Sequence, residues 1–185
     1  SNISARKINI IGAVKNPGIY IVNPFSTISS ALAYSGGFED FASLRNIVVL
    51  RENKELVFDL YDLLIKGNRM ADINIQQGDV IHVKSTNNFI TVEGSVNRPL
   101  IYEYKNNESV NDLVAFAMGP TKKANPNKVA VIHYSSDFSD QLVKETKLKD
   151  NVLLSDLNSP TIISLFDIKA SDEFAIKVIG PIENQ

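Results

Sequence analysis

The same sequence pattern occurs twice in this chain, and that repeat restricts the possible folds more than any other feature. The segment GAVKNPGIY, which begins at Gly12, returns as GSVNRPLIY at Gly94. Residues 8–51 align with residues 90–133 without a gap, at an offset of 82 residues, and ten of the 44 aligned positions are identical. This period exceeds the roughly 20 to 50 residues of solenoid repeats, so each copy should carry its own hydrophobic core. The sequence therefore predicts tandem domains.

A third copy of the pattern begins near the end of the chain. The segment IKVIGPIEN, residues 176–184, aligns with ITVEGSVNR, residues 90–98. We therefore predict a first domain over residues 1–85, a second over residues 86–174, and the truncated start of a third repeat over residues 175–185. On this interpretation the natural protein continues beyond the sequence given.

Each copy begins with two short segments rich in β-branched residues, as expected for a β-hairpin. In the first copy they flank Lys15–Gly18, where proline precedes glycine. Pro17 presets the first central position of a type II turn and Gly18 tolerates the positive φ of the second, so a type II turn is predicted. Leucine at positive φ is costly, so Leu100, which replaces Gly18 in the second copy, predicts a type I or bulged turn there.

A short helix is predicted after each hairpin. Apolar or small residues occur at i, i+3, i+4 and i+7 from Ile28, and apolar residues do so from Val110, which indicates one apolar stripe on a helix. Thr27 and Ser109 occupy the expected N-cap positions, the latter with Asp112 three residues later. Glycines follow the last periodic residue in both copies, as is typical of helix ends.

The remaining pattern completes an α+β fold. Residues 46–50 and 56–58 are predicted as strands around a polar turn, residues 59–67 as a short helical segment, and residues 78–83 as a closing strand. Hairpin, helix and further strands in this order predict tandem β-grasp domains, each a mixed sheet with one main helix on one face. In the second copy, residues 135–172 have a different sequence and are interpreted as a partly rebuilt second half.

The composition excludes several classes of protein. A net charge of -2 leaves no basic field for binding phosphate backbones, so nucleic acid is not an expected partner. The chain has no cysteine, which excludes disulfides, thiolate metal sites and cysteine nucleophiles. No apolar run approaches the roughly 20 residues that span a bilayer, and no signal-peptide core is present. The chain is therefore expected to be either cytosolic or an excised piece of a larger protein.

The residues that catalysis would need do not cluster in the sequence. His82 and His133 are the only histidines, and they lie in predicted strands of different modules, which favours ordinary strand residues over a metal or triad role. Ser95 follows a glycine but lacks the second glycine of a nucleophile elbow. No catalytic residue, no metal ligand and no cofactor is assigned, and the ligand-binding residues are left unknown.

Three carboxylate pairs and four tyrosines are candidates for sugar-processing or sugar-binding groups. Three pairs could be compared with the two acids of a glycosidase, but their spacing fits solvated helix starts and loops: Glu39 and Asp40, Asp59 and Asp62, Asp137 and Asp140. Four tyrosines could stack on sugar rings, although their positions equally fit hairpin and helix packing: Tyr20, Tyr34, Tyr102 and Tyr104. Gly12, Pro17 and Gly37 are interpreted as residues that determine the backbone conformation.

Taken as a set, the motifs resemble a known family. INIIGAVKNPGIY, STISSALAYSGGFEDFASLRNIVVLR, FDLYDLL and GDVIHV resemble the SLBB domain, the soluble-ligand-binding β-grasp module, in the form carried by bacterial outer-membrane polysaccharide export proteins. The resemblance covers residues 8–84 and the first half of the second copy.

The resemblance implies export and no catalysis. Such proteins form ring-shaped oligomers in the periplasm beneath an outer-membrane channel, through which capsular polysaccharide or exopolysaccharide leaves the cell. The implied partners are polysaccharide and other subunits of the complex, with a homo-oligomer as the full-length form. The chain lacks the usual export domain and lipidated cysteine, which we interpret as the mark of a fragment. The alternatives are an SLBB small-ligand-binding module in another complex, such as a redox complex, and a scaffold without a ligand.

Overall fold

This computed structural model describes residues 4–134, 140–157 and 161–168. The chain divides into two compact units, with the boundary between Phe89 and Ile90. In the described part of the chain, no helix is long and apolar enough to cross a membrane. The predicted third repeat lies outside the described residues.

The first unit is a five-stranded mixed sheet with short helices. Its elements are β1 (Arg6–Gly12), β2 (Gly18–Val22), α1 (Ile28–Leu32) with a 3-10 turn (Ala33–Ser35), β3 (Ala42–Arg51), β4 (Lys54–Phe58), α2 (Leu60–Leu64), a second 3-10 turn (Arg69–Ala71) and β5 (Val80–Ser85). The strand order is β2-β1-β5-β3-β4. β1 and β5 are parallel, and the other neighbouring pairs are antiparallel. The predicted strands and helices are therefore present, with longer strands than the sequence indicated.

The second unit has the same arrangement of strands. Its elements are β6 (Phe89–Gly94), β7 (Leu100–Glu103), α3 (Val110–Phe116), β8 (Ala124–Tyr134), β9 (Gln141–Thr146), two 3-10 turns (Leu148–Asp150 and Leu154–Leu157) and β10 (Ile162–Asp167). The order β7-β6-β10-β8-β9 reproduces that of the first unit, and β6 and β10 are parallel. The fold class predicted from the sequence, tandem α+β domains of the β-grasp type, is confirmed.

The core of the first unit lies between the sheet and α1. Alternating residues of β1 and β5, such as Ile10 and Ile81, are fully buried on one face of the sheet. Ile28 and Ala31 of α1 belong to the same buried cluster. The period of two in the strands and the period near 3.6 in the helix bring these apolar side chains together.

Both predicted helix caps are confirmed. Thr27 and Ser109 have extended backbones, and each forms a capping box with the residue three positions later. In the second unit, the Asp112 carboxylate accepts from the Ser109 backbone N–H at 2.8 Å. These side chains satisfy N–H groups that the first helical turn leaves without partners.

The predicted type II turn is wrong. Gly18 lacks a positive φ and opens β2 opposite Ile10. The positive φ angles occur earlier, at Gly12 (89°) and Gly94 (77°), where the first strand of each hairpin ends. A Cβ at either glycine would lie 2.1 Å from a carbonyl oxygen of the parallel neighbouring strand. The glycine requirement therefore lies at the strand end, and for this reason Leu100 can replace Gly18.

Candidate functional site

An open groove of about 600 Å³ runs along β4 in the first unit. Among the described residues, β4 is the last strand of its sheet and has a strand neighbour on one side only. Four consecutive β4 residues and the segment before β5 line the groove, together with the end of β3: Glu55, Leu56, Val57, Phe58, Ala71, Ile73, Asn74, Gln76 and Arg51. The groove is thus the space beside a free sheet edge.

The segment opposite β4 is held in place by the start of α1. The Ile28 N–H donates to the carbonyl of Ile73 at 3.0 Å, and the Ile75 N–H donates to the carbonyl of Ser26 at 3.0 Å. The Ile75 side chain is fully buried in the core. Because its backbone and side chains are both anchored, this wall of the groove is preformed.

A partly buried ion pair includes Arg51 of the groove lining. Arg51 donates to both carboxylate oxygens of Asp79 and also to the carbonyl of Asn74 at 2.8 Å. Asp79 is fully buried, and its carboxylate also accepts from the Gln76 N–H at 2.7 Å. The hydrogen bonds with Asp79 raise the pKa of the Arg51 guanidinium. The pair therefore fixes the loop that connects the wall of the groove to β5.

A second carboxylate ties this wall to α1. Asp72 accepts from the backbone N–H of Ser29 at 3.0 Å and from its hydroxyl at 2.5 Å. With Asp79, Asp72 thus belongs to the structural frame of the groove. The lining that the groove presents to a partner is mainly apolar, with Leu56 and Val57 on β4 and Ile73 opposite, whereas Phe58 is buried in the core.

Comparison with family models identifies the two units. An SLBB domain model matches residues 6–83, and a second SLBB domain model matches residues 89–136. The chain belongs to the SLBB-domain family. The resemblance inferred from the sequence is thereby confirmed. No curated protein matches the chain.

The two histidines lie in strands of different domains, as the sequence predicts. His82 lies in β5 of the first SLBB domain and His133 in β8 of the second. Among the described residues, no group of three or more histidines and carboxylates could hold a metal ion.

The described acids of the three carboxylate pairs include several in structural ion pairs. Asp59 caps α2 and pairs with the buried Arg45 at 3.3 Å. Asp62 pairs with Lys66 at 2.7 Å. Glu39 pairs with Lys15 at 2.8 Å. These hydrogen bonds raise the pKa of Lys66 and of Lys15. Of the third pair, Asp137 lies outside the described residues.

Two of the four tyrosines have the same structural role in both SLBB domains. The hydroxyl of Tyr20 donates to the carbonyl of Asn16 at 2.5 Å, and the hydroxyl of Tyr102 donates to the carbonyl of Arg98 at 2.8 Å. Each hydrogen bond joins two residues of a hairpin that are four positions apart in the sequence. Burial raises the pKa of Tyr102 and also of Tyr104.

Tyr34 differs from the other tyrosines because half of its surface is exposed. Its ring lies 6.4 Å from that of Tyr20, centroid to centroid. In the second SLBB domain, Phe116 takes the equivalent position and lies 6.3 Å from Tyr102. The aromatic pair is therefore a packing feature of the hairpin and helix in each domain.

Sequence reasoning missed the groove beside β4. The gap-free alignment of the repeat ends at Arg51, so β4 had no aligned counterpart to compare. One signal was present, since LVF at residues 56–58 is a run of apolar residues on a short strand, whereas an edge strand commonly carries charge. Only the sheet order shows that this strand is at the edge.

Proposed function

We propose that this chain is the periplasmic part of a bacterial polysaccharide export protein, acting on capsular polysaccharide or exopolysaccharide. Its role is non-catalytic and consists of assembling the export apparatus and contacting the glycan. The observation that carries the proposal is the pair of tandem SLBB domains, a module found in polysaccharide export proteins.

The local chemistry supports a structural role. Carboxylates that sequence reasoning weighed as catalytic acids, such as Asp59 and Glu39, are engaged in ion pairs within the first domain. Positions repeated between the domains, such as Gly12 and Gly94, are required by the local backbone conformation. What remains for function is surface, including the apolar groove beside β4. Surfaces of this kind suit contacts with other subunits, with a homo-oligomer as the expected form of the full-length protein.

Deleting the gene from its native host tests this role. We expect polysaccharide at the cell surface to fall and to accumulate inside the cell envelope, and the wild-type gene to restore export. Unchanged surface polysaccharide, together with a full-length protein that is strictly monomeric in solution, would contradict the proposal.

Localisation and glycan contact are tested separately. Fractionation of the host should place the full-length protein with the periplasm and outer membrane. The 185-residue chain should bind purified host polysaccharide in isothermal titration calorimetry more tightly than a polysaccharide that the host does not make. Equal binding of both polymers would show that glycan recognition is not a function of these two domains.

A further inference from the structure

In the described part of the chain, the sheet of the first SLBB domain has two edges without a strand neighbour. β2 and β4 are its outer strands. Ile19 and Ile21 on β2 are 63% and 74% exposed, and Val57 on β4 is 67% exposed. Natural edge strands commonly carry charges or bulges that prevent pairing with another chain. β2 has no charged residue, and the charges of β4 lie at its start, at Lys54 and Glu55, before the apolar residues 56–58.

The outer strand of the second SLBB domain carries its charges at different positions. Val57 pairs with Val48 of β3, and Glu145 pairs with Ala130 of β8. Val48 and Ala130 are equivalent in the repeat, so Glu145 is the counterpart of Val57, and Lys144 is the counterpart of Leu56. In the same register, Leu142 and Val143 of β9 replace the charged Lys54 and Glu55 of β4. The apolar residues therefore lie at the end of β4 and at the start of β9, so the two edges present different patterns to a partner strand.

We propose that β2 of one copy of this chain adds to the free edge of β4 of a second copy and occupies the groove. This inference rests on the assembly role proposed above and names the contact. The strand directions permit it, since β4 runs parallel to β5 and β1, whereas β2 runs opposite to them. Two copies in the same orientation therefore place β2 against β4 in antiparallel pairing, and the sheet continues from one copy into the next.

One register matches the exposed side chains of the two edges. If Ile19 lies opposite Val57 of the second copy, then Tyr20 lies opposite Leu56 and Ile21 opposite Glu55. Strand pairing connects Ile19 to Glu55 across the five strands of the sheet. The four exposed residues Ile19, Ile21, Glu55 and Val57 therefore all lie on the face away from α1. Tyr20 and Leu56 both lie on the other face and are half-buried. The register therefore keeps both faces continuous across the junction.

Charge favours this register. Lys7 is the neighbour of Ile21 on β1 and is exposed. Two strand spacings of about 4.8 Å separate it from Glu55 of the second copy, a distance that the two long side chains can span. The equivalent strand of the second domain, β7, has Glu103 in place of Ile21, and Glu103 is 6% exposed whereas Ile21 is 74% exposed. β2 therefore presents an exposed apolar side chain at this position, and β7 does not.

The contact uses different surfaces on the two copies. An open assembly of this kind keeps a free β4 at one end and a free β2 at the other. Interfaces of this head-to-tail kind produce closed rings or open filaments, whereas pairing of identical edges stops at a dimer.

Cysteine cross-linking tests the contact in a background that has no cysteine. A mixture of the single variants Ile19→Cys and Val57→Cys, exposed to mild oxidant, should form a disulfide-linked dimer. The double variant should form a series of disulfide-linked oligomers. Neither single variant alone should cross-link. Leu142→Cys, on the edge strand of the second domain and 62% exposed, is the matched control and should not cross-link with Ile19→Cys.

Three outcomes would overturn the proposal. Cross-linking of Ile19→Cys alone would show pairing between two β2 edges, and cross-linking of Val57→Cys alone would show pairing between two β4 edges. Absence of any 19–57 product in the mixture would remove the contact altogether.

Self-association measured by sedimentation velocity gives an independent test. Val57→Lys should weaken it by about tenfold, because an edge lysine blocks strand pairing. Leu142→Lys, with similar exposure, should leave it unchanged. Lys7→Glu and Glu55→Lys should each weaken it by about threefold, and the double variant should restore it. Equal effects of Val57→Lys and Leu142→Lys would contradict the proposal.

Failure of this contact and failure of the export role give different results. Loss of surface polysaccharide on gene deletion without a 19–57 cross-link would overturn the edge pairing and support export. A specific 19–57 cross-link in a protein whose deletion leaves the polysaccharide unchanged would support the edge pairing and contradict export.

Discussion

The guanidinium of Arg51 donates hydrogen bonds to both carboxylate oxygens of Asp79, with Nε 2.9 Å from one oxygen and Nη2 2.8 Å from the other. Arg51 ends β3, and Asp79 immediately precedes β5, so the pair ties the two strands to the loop between them. Bidentate geometry and burial make this a stronger interaction than an exposed ion pair. The wall of the groove depends on it.

Replacing the two partners should have unequal effects on stability. Arg51→Met leaves a fully buried carboxylate without its counter-ion, and we expect a loss of about 3 to 5 kcal/mol in the free energy of unfolding. Asp79→Asn leaves a guanidinium that can still reach water, with an expected loss of about 1 to 3 kcal/mol. Urea denaturation followed by circular dichroism measures both.

The exposed pair between Lys15 and Glu39 is the matched control. Lys15→Met should leave the free energy of unfolding nearly unchanged, because both side chains are partly in water. A loss for Asp79→Asn as large as that for Arg51→Met would contradict the proposed asymmetry.

Alanine at Gly12 should disrupt the first domain, and alanine at Gly18 should not. The new Cβ at Gly12 would lie 2.1 Å from the Val83 carbonyl oxygen in a backbone that already has φ of 89°. We expect a loss of about 3 kcal/mol or more and faster hydrogen exchange in β1 and β5. Gly18 has free space around its Cα and no positive φ, so Gly18→Ala should be neutral or gain about 0.5 kcal/mol.

Equal destabilisation by Gly12→Ala and Gly18→Ala would show that the turn, and not the strand end, requires glycine. The repeat offers a second comparison. Gly94→Ala meets the Leu165 carbonyl at the same distance and should have the same effect on β6 and β10.

Local patterns in the sequence predicted the fold because its main elements are short-range. The apolar stripe beginning at Ile28 and the caps at Thr27 and Ser109 depend on residues three to four positions apart, and the structure confirms them. The repeat added the information that the pattern is used twice. Strand bounds were less accurate, since β3 extends to Ala42 through a register shift that no short pattern indicates.

The site could not be predicted in the same way because it depends on contacts that are distant in sequence. Arg51 and Asp79 are 28 residues apart. The role of Gly12 depends on Val83, which becomes its neighbour only when β1 and β5 pair in parallel. Whether LVF at residues 56–58 faces a core or a free edge is decided by the strand order, which is a property of the whole domain.

The two helix caps should differ in strength. The Ser109 hydroxyl accepts from the Asp112 N–H at 3.3 Å within a network in which the Asp112 carboxylate accepts two further hydrogen bonds. At Thr27 the corresponding bond to Ser30 is 3.5 Å long and exposed. We expect Ser109→Ala to cost about 1 to 2 kcal/mol and Thr27→Ala about 0.5 kcal/mol in urea denaturation. The reverse order would show that burial of Ser109 does not strengthen its cap.

The buried hydroxyl of Tyr102 should make stability depend on alkaline pH. Burial raises its pKa above the ordinary value of 10.0, so the folded protein keeps a proton that the unfolded chain loses. Since the folded state then binds more protons, the free energy of unfolding falls as the pH rises above about 10. Tyr102→Phe removes this contribution, but it also removes the hydrogen bond to Arg98, which should cost about 1 kcal/mol near pH 8.

The difference in stability between wild type and Tyr102→Phe should therefore shrink as the pH rises from 8 to above 10. Urea midpoints measured across this range give the difference directly. Tyr104→Phe serves as a second variant, because burial raises the pKa of Tyr104 as well and the same flattening of the pH dependence is expected. A difference that stays constant with pH would show that the Tyr102 phenol ionises equally in the folded and unfolded states.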